Sequence, residues 1–94
     1  MPNQASYLHP VEITIDTHGE EPAYKQLADQ LRAAITRGDY APGDLLPSLK
    51  QLSGAHGIAI ATVQHALQVL KDEGLIYGVS GRGTFVRRAA RPPS

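Results

Sequence analysis

Apolar and polar positions alternate over Val11-Glu12-Ile13-Thr14-Ile15-Asp16, and the β-branched residues among them predict a short strand. A polar stretch from 17 to 21 follows, and then the period changes. Tyr24, Leu27, Leu31 and Ile35, with Ala28 and Ala34, recur every three or four residues and make one apolar helical stripe. Pro22 suits the first turn of that helix and Gly38 its C-cap, with Arg37 favourable beside the last carbonyls. Pro42-Gly43 is a type II turn pair, and Leu45-Leu46 beyond it enters the core as a very short strand. Ser48 is a natural N-cap for a second helix, and Gln51 completes a capping-box pattern. Leu49 and Leu52 face inward, Gly57 ends this helix, and Ile58 plugs the turn. A third helix runs from residue 59 or 61 to 73 on a core stripe of Val63, Ala66, Leu67 and Leu70, closed by Gly74. Residues 75–79 and 84–86 read as two strands joined by Ser80-Gly81-Arg82-Gly83.

The fold class this order predicts is α+β and mainly helical: three helices plus a C-terminal β-hairpin. Two helices across a tight glycine-bearing turn are a helix-turn-helix signal, and the hairpin after them supplies a wing. A small α+β domain with no role on DNA has the same order of elements. The expected division is an N-terminal segment with the short strand over 1–21, a winged helix-turn-helix over 22–86, and a flexible basic tail over 87–94.

At 94 residues the chain is one small domain with one modest core. It has no cysteine, so a disulfide framework and a cysteine-based zinc site or nucleophile are excluded. No apolar run approaches the length of a membrane span, and the first ten residues lack a signal-peptide pattern. A cytoplasmic protein without membrane association is the expectation. The net charge of zero argues at first against nucleic acid, but the charges are segregated. Residues 1–47 carry three basic and seven acidic side chains, whereas 48–94 carry six basic and two acidic. Such a distribution either places a basic face on a neutral protein or is a solvated surface of mixed sign. His9, His18, His56 and His65 are scattered without ligand spacing, and no Ser-His-Asp set or carboxylate pair is apparent. No enzyme activity, metal or cofactor is expected.

Specific residues sharpen this reading. The run Pro22-x-Tyr24-x-Gln26-Leu27-Ala28-x-x-Leu31-Arg32-x-x-Ile35-x-x-Gly38 resembles the first helix of GntR-type transcription regulators. Pro42-Gly43-Asp44-x-Leu46-Pro47-Ser48-x-Lys50-x-Leu52 resembles their entry to the second helix. Thr62-Val63-x-x-Ala66-Leu67-x-x-Leu70-x-x-Glu73-Gly74-Leu75-Ile76 is similar to their recognition helix, and Gly81-Arg82-Gly83-Thr84-Phe85-Val86 to their wing. The match spans about residues 22–86 without a gap. Its start and its wing look closest to the HutC-like and YtrA-like branches. The resemblance implies a bacterial, sequence-specific binder of double-stranded DNA that regulates transcription, with the third helix in the major groove and the wing at the minor groove.

Carried over residue by residue, it implies a DNA face of Ser48, Lys50, Ala61, Thr62, Gln64, His65, Gln68, Gly81, Arg82 and Gly83. Ser48 caps its helix and can also touch phosphate. Lys50 stands where the family usually has arginine, keeping the charge and losing the bidentate fork. Thr62 either donates to a phosphate or caps the third helix. Gln64 and Gln68 can pair with adenine edges. His65 is a contact to phosphate or base, or an ordinary surface histidine. Arg82, between two glycines, either enters a narrow minor groove or is a solvated loop arginine. Arg87 and Arg88 can add nonspecific attraction to phosphate.

The chain also departs from the family. Its relatives commonly carry Ser-Arg before the recognition helix, where this chain has Ala59-Ile60, and commonly arginine where it has Gln64. Ile60 either touches a thymine methyl or packs in the turn. These changes imply a weaker and less salt-dependent binder. They also keep open an alternative, a winged-helix protein–protein interaction module with a weakened DNA face. Family members add a C-terminal domain that binds an effector and dimerises. Here eight residues follow the wing, too few for a ligand pocket of about 300 Å³. No small-molecule effector is therefore expected in this chain, which is either a natural short form or the DNA-binding part of a longer protein. A homodimer is possible, with 11–15 as a candidate pairing edge.

Overall fold

The computed structural model describes residues 12–87. Val11 and the tail from 88, Arg88 included, lie outside the described residues. Three helices come first in the chain: α1 (Ala23–Arg37), α2 (Leu49–His56) and α3 (Ile60–Asp72). A hairpin of β1 (Ile76–Val79) and β2 (Gly83–Val86) follows. This is the predicted order, and each helix starts within a residue or two of its expected place.

The apolar stripes meet in one core. Leu27 and Leu31 of α1 pack with Val63, Ala66 and Leu70 of α3, and Leu46, Leu52, Ile76 and Val86 close the cluster. No polar or charged residue is buried among the described residues. Removing one of these large side chains costs about 2–5 kcal/mol in a core of this kind. Ser48 caps α2 as expected: its hydroxyl accepts from Gln51 N at 3.0 Å, and Ser48 N donates to Gln51 Oε1 at 2.7 Å. Gly57, at φ +64°, turns the chain out of α2. Ile58 then drops into the core, its carbonyl accepting from Ser53 Oγ at 2.6 Å. That plug sets α3 against α2. Pro22 precedes α1 as its N-cap, with ψ 145°, instead of forming its first helical residue.

β1 and β2 pair antiparallel, with Ile76 opposite Val86 and Val79 opposite Gly83. The expected strand at Leu45-Leu46 is a single bridge from Leu45 to Phe85, extended by Leu46 N donating to Thr84 O at 2.8 Å. The root of the wing is thus tied to the entry of α2.

The strand expected over 11–16 is a correction. Ile13 and Ile15 are half-buried against the core and their neighbours exposed, as the alternation requires. Yet the segment pairs with no strand among the described residues, because two glutamine side chains take its backbone groups. Thr14 N donates to Gln30 Oε1 at 2.9 Å, and Gln30 Nε2 donates back to Thr14 O at 2.7 Å. Gln26 does the same for Asp16, at 2.8 Å in both directions. The two glutamines are one turn apart on α1 and the two clamped residues are two apart, so each carboxamide stands in for a peptide of a neighbouring strand.

Candidate nucleic-acid interface

The site is built by the start of α2, the outward face of α3 and the hairpin loop. Val63, Ala66, Leu67 and Leu70 turn inward, so helical geometry leaves Ala61, Gln64, His65 and Gln68 outward. All four are exposed. Thr62 is half-buried on the flank of this face. It does not cap α3: the N-cap is Ala59, which offers no side-chain bond, and Thr62 is already the third helical residue. The capping alternative for Thr62 therefore falls.

Two of the predicted side chains are held by neighbours. His65 stacks on Tyr24 of α1, ring centroids 3.7 Å apart and planes 10° apart, so one face of the imidazole is covered. Gln68 Nε2 donates to Asp72 Oδ1 at 2.9 Å, a bond that does not use its amide oxygen. Gln64 makes no such bond among the described residues.

At the wing, Arg82 N donates to Val79 O at 2.9 Å and closes a tight loop with Gly81 at φ +77°. The Arg82 side chain is exposed at its tip. Gly83 is required twice over: its φ is +119°, and a Cβ there would lie 2.8 Å from Leu45 Cδ1. Between the wing and the start of α2 runs an open cleft of about 610 Å³, lined by Ser48 and Lys50 on one side and Gly81 and Arg82 on the other. It is a groove between two projecting elements and not a closed cavity, and it is built by residues 45–51 and 78–84 of the domain itself.

The electrostatics follow one pattern. Every described cation of the first half is paired: Lys25 with Glu21 and Asp29, Arg32 with Asp29 and Glu73, Arg37 with Asp39. Arg32 grips Glu73 with two nitrogens, at 2.8 and 2.6 Å, and so ties α1 to the end of α3. Its guanidinium holds the Glu73 carboxyl below its ordinary range. Lys25, seconded by Arg32, does the same for Asp29. By contrast, Lys50, Lys71 and Arg82 have no carboxylate within ion-pair distance among the described residues. Lys71 was absent from the predicted face. Its amine reaches across to the wing, where a Cβ on Gly78 would lie 3.5 Å away. In the sequence it reads as an ordinary cation at a helix C-terminus, and only the fold of the hairpin back onto α3 shows otherwise.

A helix-turn-helix with a hairpin wing and unpaired cations on the wing side defines the class: a winged helix-turn-helix protein. Residues 23–86 match the family model described as bacterial regulatory proteins, gntR family. The chain belongs to the GntR family and carries its DNA-binding domain. It is 38% identical over 69 residues to the mannosyl-D-glycerate transport/metabolism system repressor MngR of Escherichia coli K12, a match spanning 73% of this chain and 29% of that relative. Among solved structures it is similar to YtrA from Sulfolobus acidocaldarius, a GntR-family transcription factor (TM-score 0.76, 40% identity, 83% of this chain and 82% of that one). It is also similar to the AraR DNA-binding domain in complex with operator ORX1 (TM-score 0.73, 28% identity, 83% and 98%). No helix among the described residues is long and apolar enough to cross a membrane.

Proposed function

We propose that this domain binds a specific duplex sequence by laying the outward face of α3 in the major groove and the wing tip against the adjacent minor groove. The observation that carries the proposal is the placement of Lys50 and Arg82 on the cleft and of Lys71 beside Gln64, His65 and Gln68, three cations with no carboxylate partner among the described residues. That the similar AraR DNA-binding domain was solved in complex with an operator supports duplex DNA as the partner. Lys50 and Ser48 meet phosphates from α2, Gln64 and Gln68 offer amides to base edges, and Arg82 reaches into the minor groove. His65, braced by Tyr24, contacts the backbone or a base edge from a fixed direction.

Two copies on half-sites about one duplex turn, roughly 34 Å, apart would read a symmetric operator. Occupying a promoter in this way represses transcription, in the cytoplasm of a bacterial cell. In this reading the domain itself has no effector, cofactor, membrane or catalytic role.

Titration of duplex DNA by fluorescence anisotropy at two salt concentrations tests it. Binding that weakens with salt, and weakens further in Arg82→Ala, is expected. No binding at low salt would overturn DNA recognition and leave the protein-interaction alternative.

A further inference from the structure

Few large apolar side chains are exposed among the described residues, and they fall in two places. Leu45 and Tyr77 sit on the hairpin sheet, each opposite Phe85. Ile60 stands apart at the first position of α3, 42% exposed, while the core residues of the same helix are at most 4% exposed. Packing therefore does not account for Ile60. One turn further on the helix comes Gln64, and beside Ile60 comes Ala61, both exposed. At this end of the helix the outward side chains at 59, 60 and 61 offer methyl groups and no hydrogen-bonding group.

We infer that Ile60, with Ala61 beside it, reads the C5-methyl of thymine, and that this selects operators carrying thymine where the first turn of α3 meets the bases. The inference rests on the DNA-binding reading above. Base edges are reached by the first turn of a recognition helix. Of the four pairs, only those with thymine present a methyl group in the major groove. An isoleucine in a helix is held close to one χ1 rotamer, so it presents its methyls in one direction at little entropic cost. A purine or cytosine edge opposite Ile60 would lose its water without gaining a partner, and is disfavoured for that reason. The neighbouring unpaired cations bring the phosphates, and Ile60 contributes selectivity without adding to salt dependence.

The test uses the full chain. Sequences bound from a random duplex pool define the half-site, and each thymine in it is then replaced by deoxyuridine, which keeps every hydrogen bond and lacks only the methyl. At one or two thymines the affinity should fall about fourfold, the worth of one buried methyl. In Ile60→Ala the penalty for deoxyuridine at that position should vanish while the salt slope stays unchanged. Ile60→Val, which keeps the branched carbon, should retain part of it. A half-site without thymine, or deoxyuridine penalties identical in all three proteins, overturns the inference and leaves DNA binding standing. Absence of any binding overturns both.

Discussion

Gly83→Ala isolates what the wing demands of its backbone. Two separate effects meet at this residue. Its φ of +119° lies where L side chains rarely go, and its absent Cβ leaves room for Leu45, whose Cδ1 would be 2.8 Å away. The collision is the cheaper of the two, because Leu45 is 56% exposed and can swing its side-chain end into solvent. The backbone effect has no such outlet, since β2 begins at Gly83 in register with Val79 and the loop before it is only three residues long. Holding a non-glycine residue there costs about 1–3 kcal/mol. In a domain of this size that lowers the melting temperature by about 4–8 °C per kcal/mol. Thermal and urea unfolding of Gly83→Ala, alone and with Leu45→Ala, separate the effects. The same loss is expected in both backgrounds. If Leu45→Ala restores the stability, the steric collision dominates and the backbone argument fails; no loss in either background refutes both.

Three further outcomes follow from the same geometry. Gln26→Ala with Gln30→Ala should remove the hydrogen-exchange protection of the Thr14 and Asp16 amides and leave that of α1 intact; amides still protected would mean that something else holds the segment. Glu73 and Asp29 titrate lower when folded than unfolded, so their stabilisation is complete above the ordinary carboxylate range and is lost as pH falls through it and below. Glu73→Gln should flatten that acid loss in pH-dependent unfolding while costing at most about 1 kcal/mol at neutral pH, since more than a third of each partner is exposed. Lys71→Ala should reduce the slope of log affinity against log salt by about one; an unchanged slope removes Lys71 from the phosphate contacts.

The helices could be read from the sequence because each repeats its apolar residues at one period and stops at a glycine: Gly38 after α1, Gly57 after α2, Gly74 after α3. The alternation over 11–16 correctly turned Ile13 and Ile15 inward, but alternation says nothing about what the backbone bonds to. Gln26 and Gln30 look like a solvated pair on a helix, and their partners lie 10 and 16 residues away. The stack of His65 on Tyr24 and the grip of Arg32 on Glu73, 41 residues apart, escape any local pattern for the same reason. Thr62 misled by type, since a threonine near a helix start suggests a cap. The true cap position fell to Ala59 because the deep burial of Ile58 fixes where the turn ends.

A net charge of zero is by itself a poor basis for binding a polyanion, and the ion pairs show why it is no obstacle. The carboxylates Glu21, Asp29, Asp39 and Glu73 are spent on Lys25, Arg32 and Arg37, all borne on α1. None is spent on Lys50, Lys71 or Arg82. Three released counterions per copy correspond to about a 40-fold loss of affinity between 50 and 200 mM salt, and six from two copies to roughly 2,000-fold. These are small electrostatic contributions for one copy, so a single domain held by charge alone would discriminate little between sequences. The outward side chains of α3 have the opposite character: amides at Gln64 and Gln68, methyls at Ile60 and Ala61, and a braced imidazole at His65. On the proposed docking the charge lies on the flanks, where phosphates would run, and formal charge stays off the outward face of α3 until Lys71 and Asp72, so that selectivity would rest on shape and hydrogen bonding in the groove.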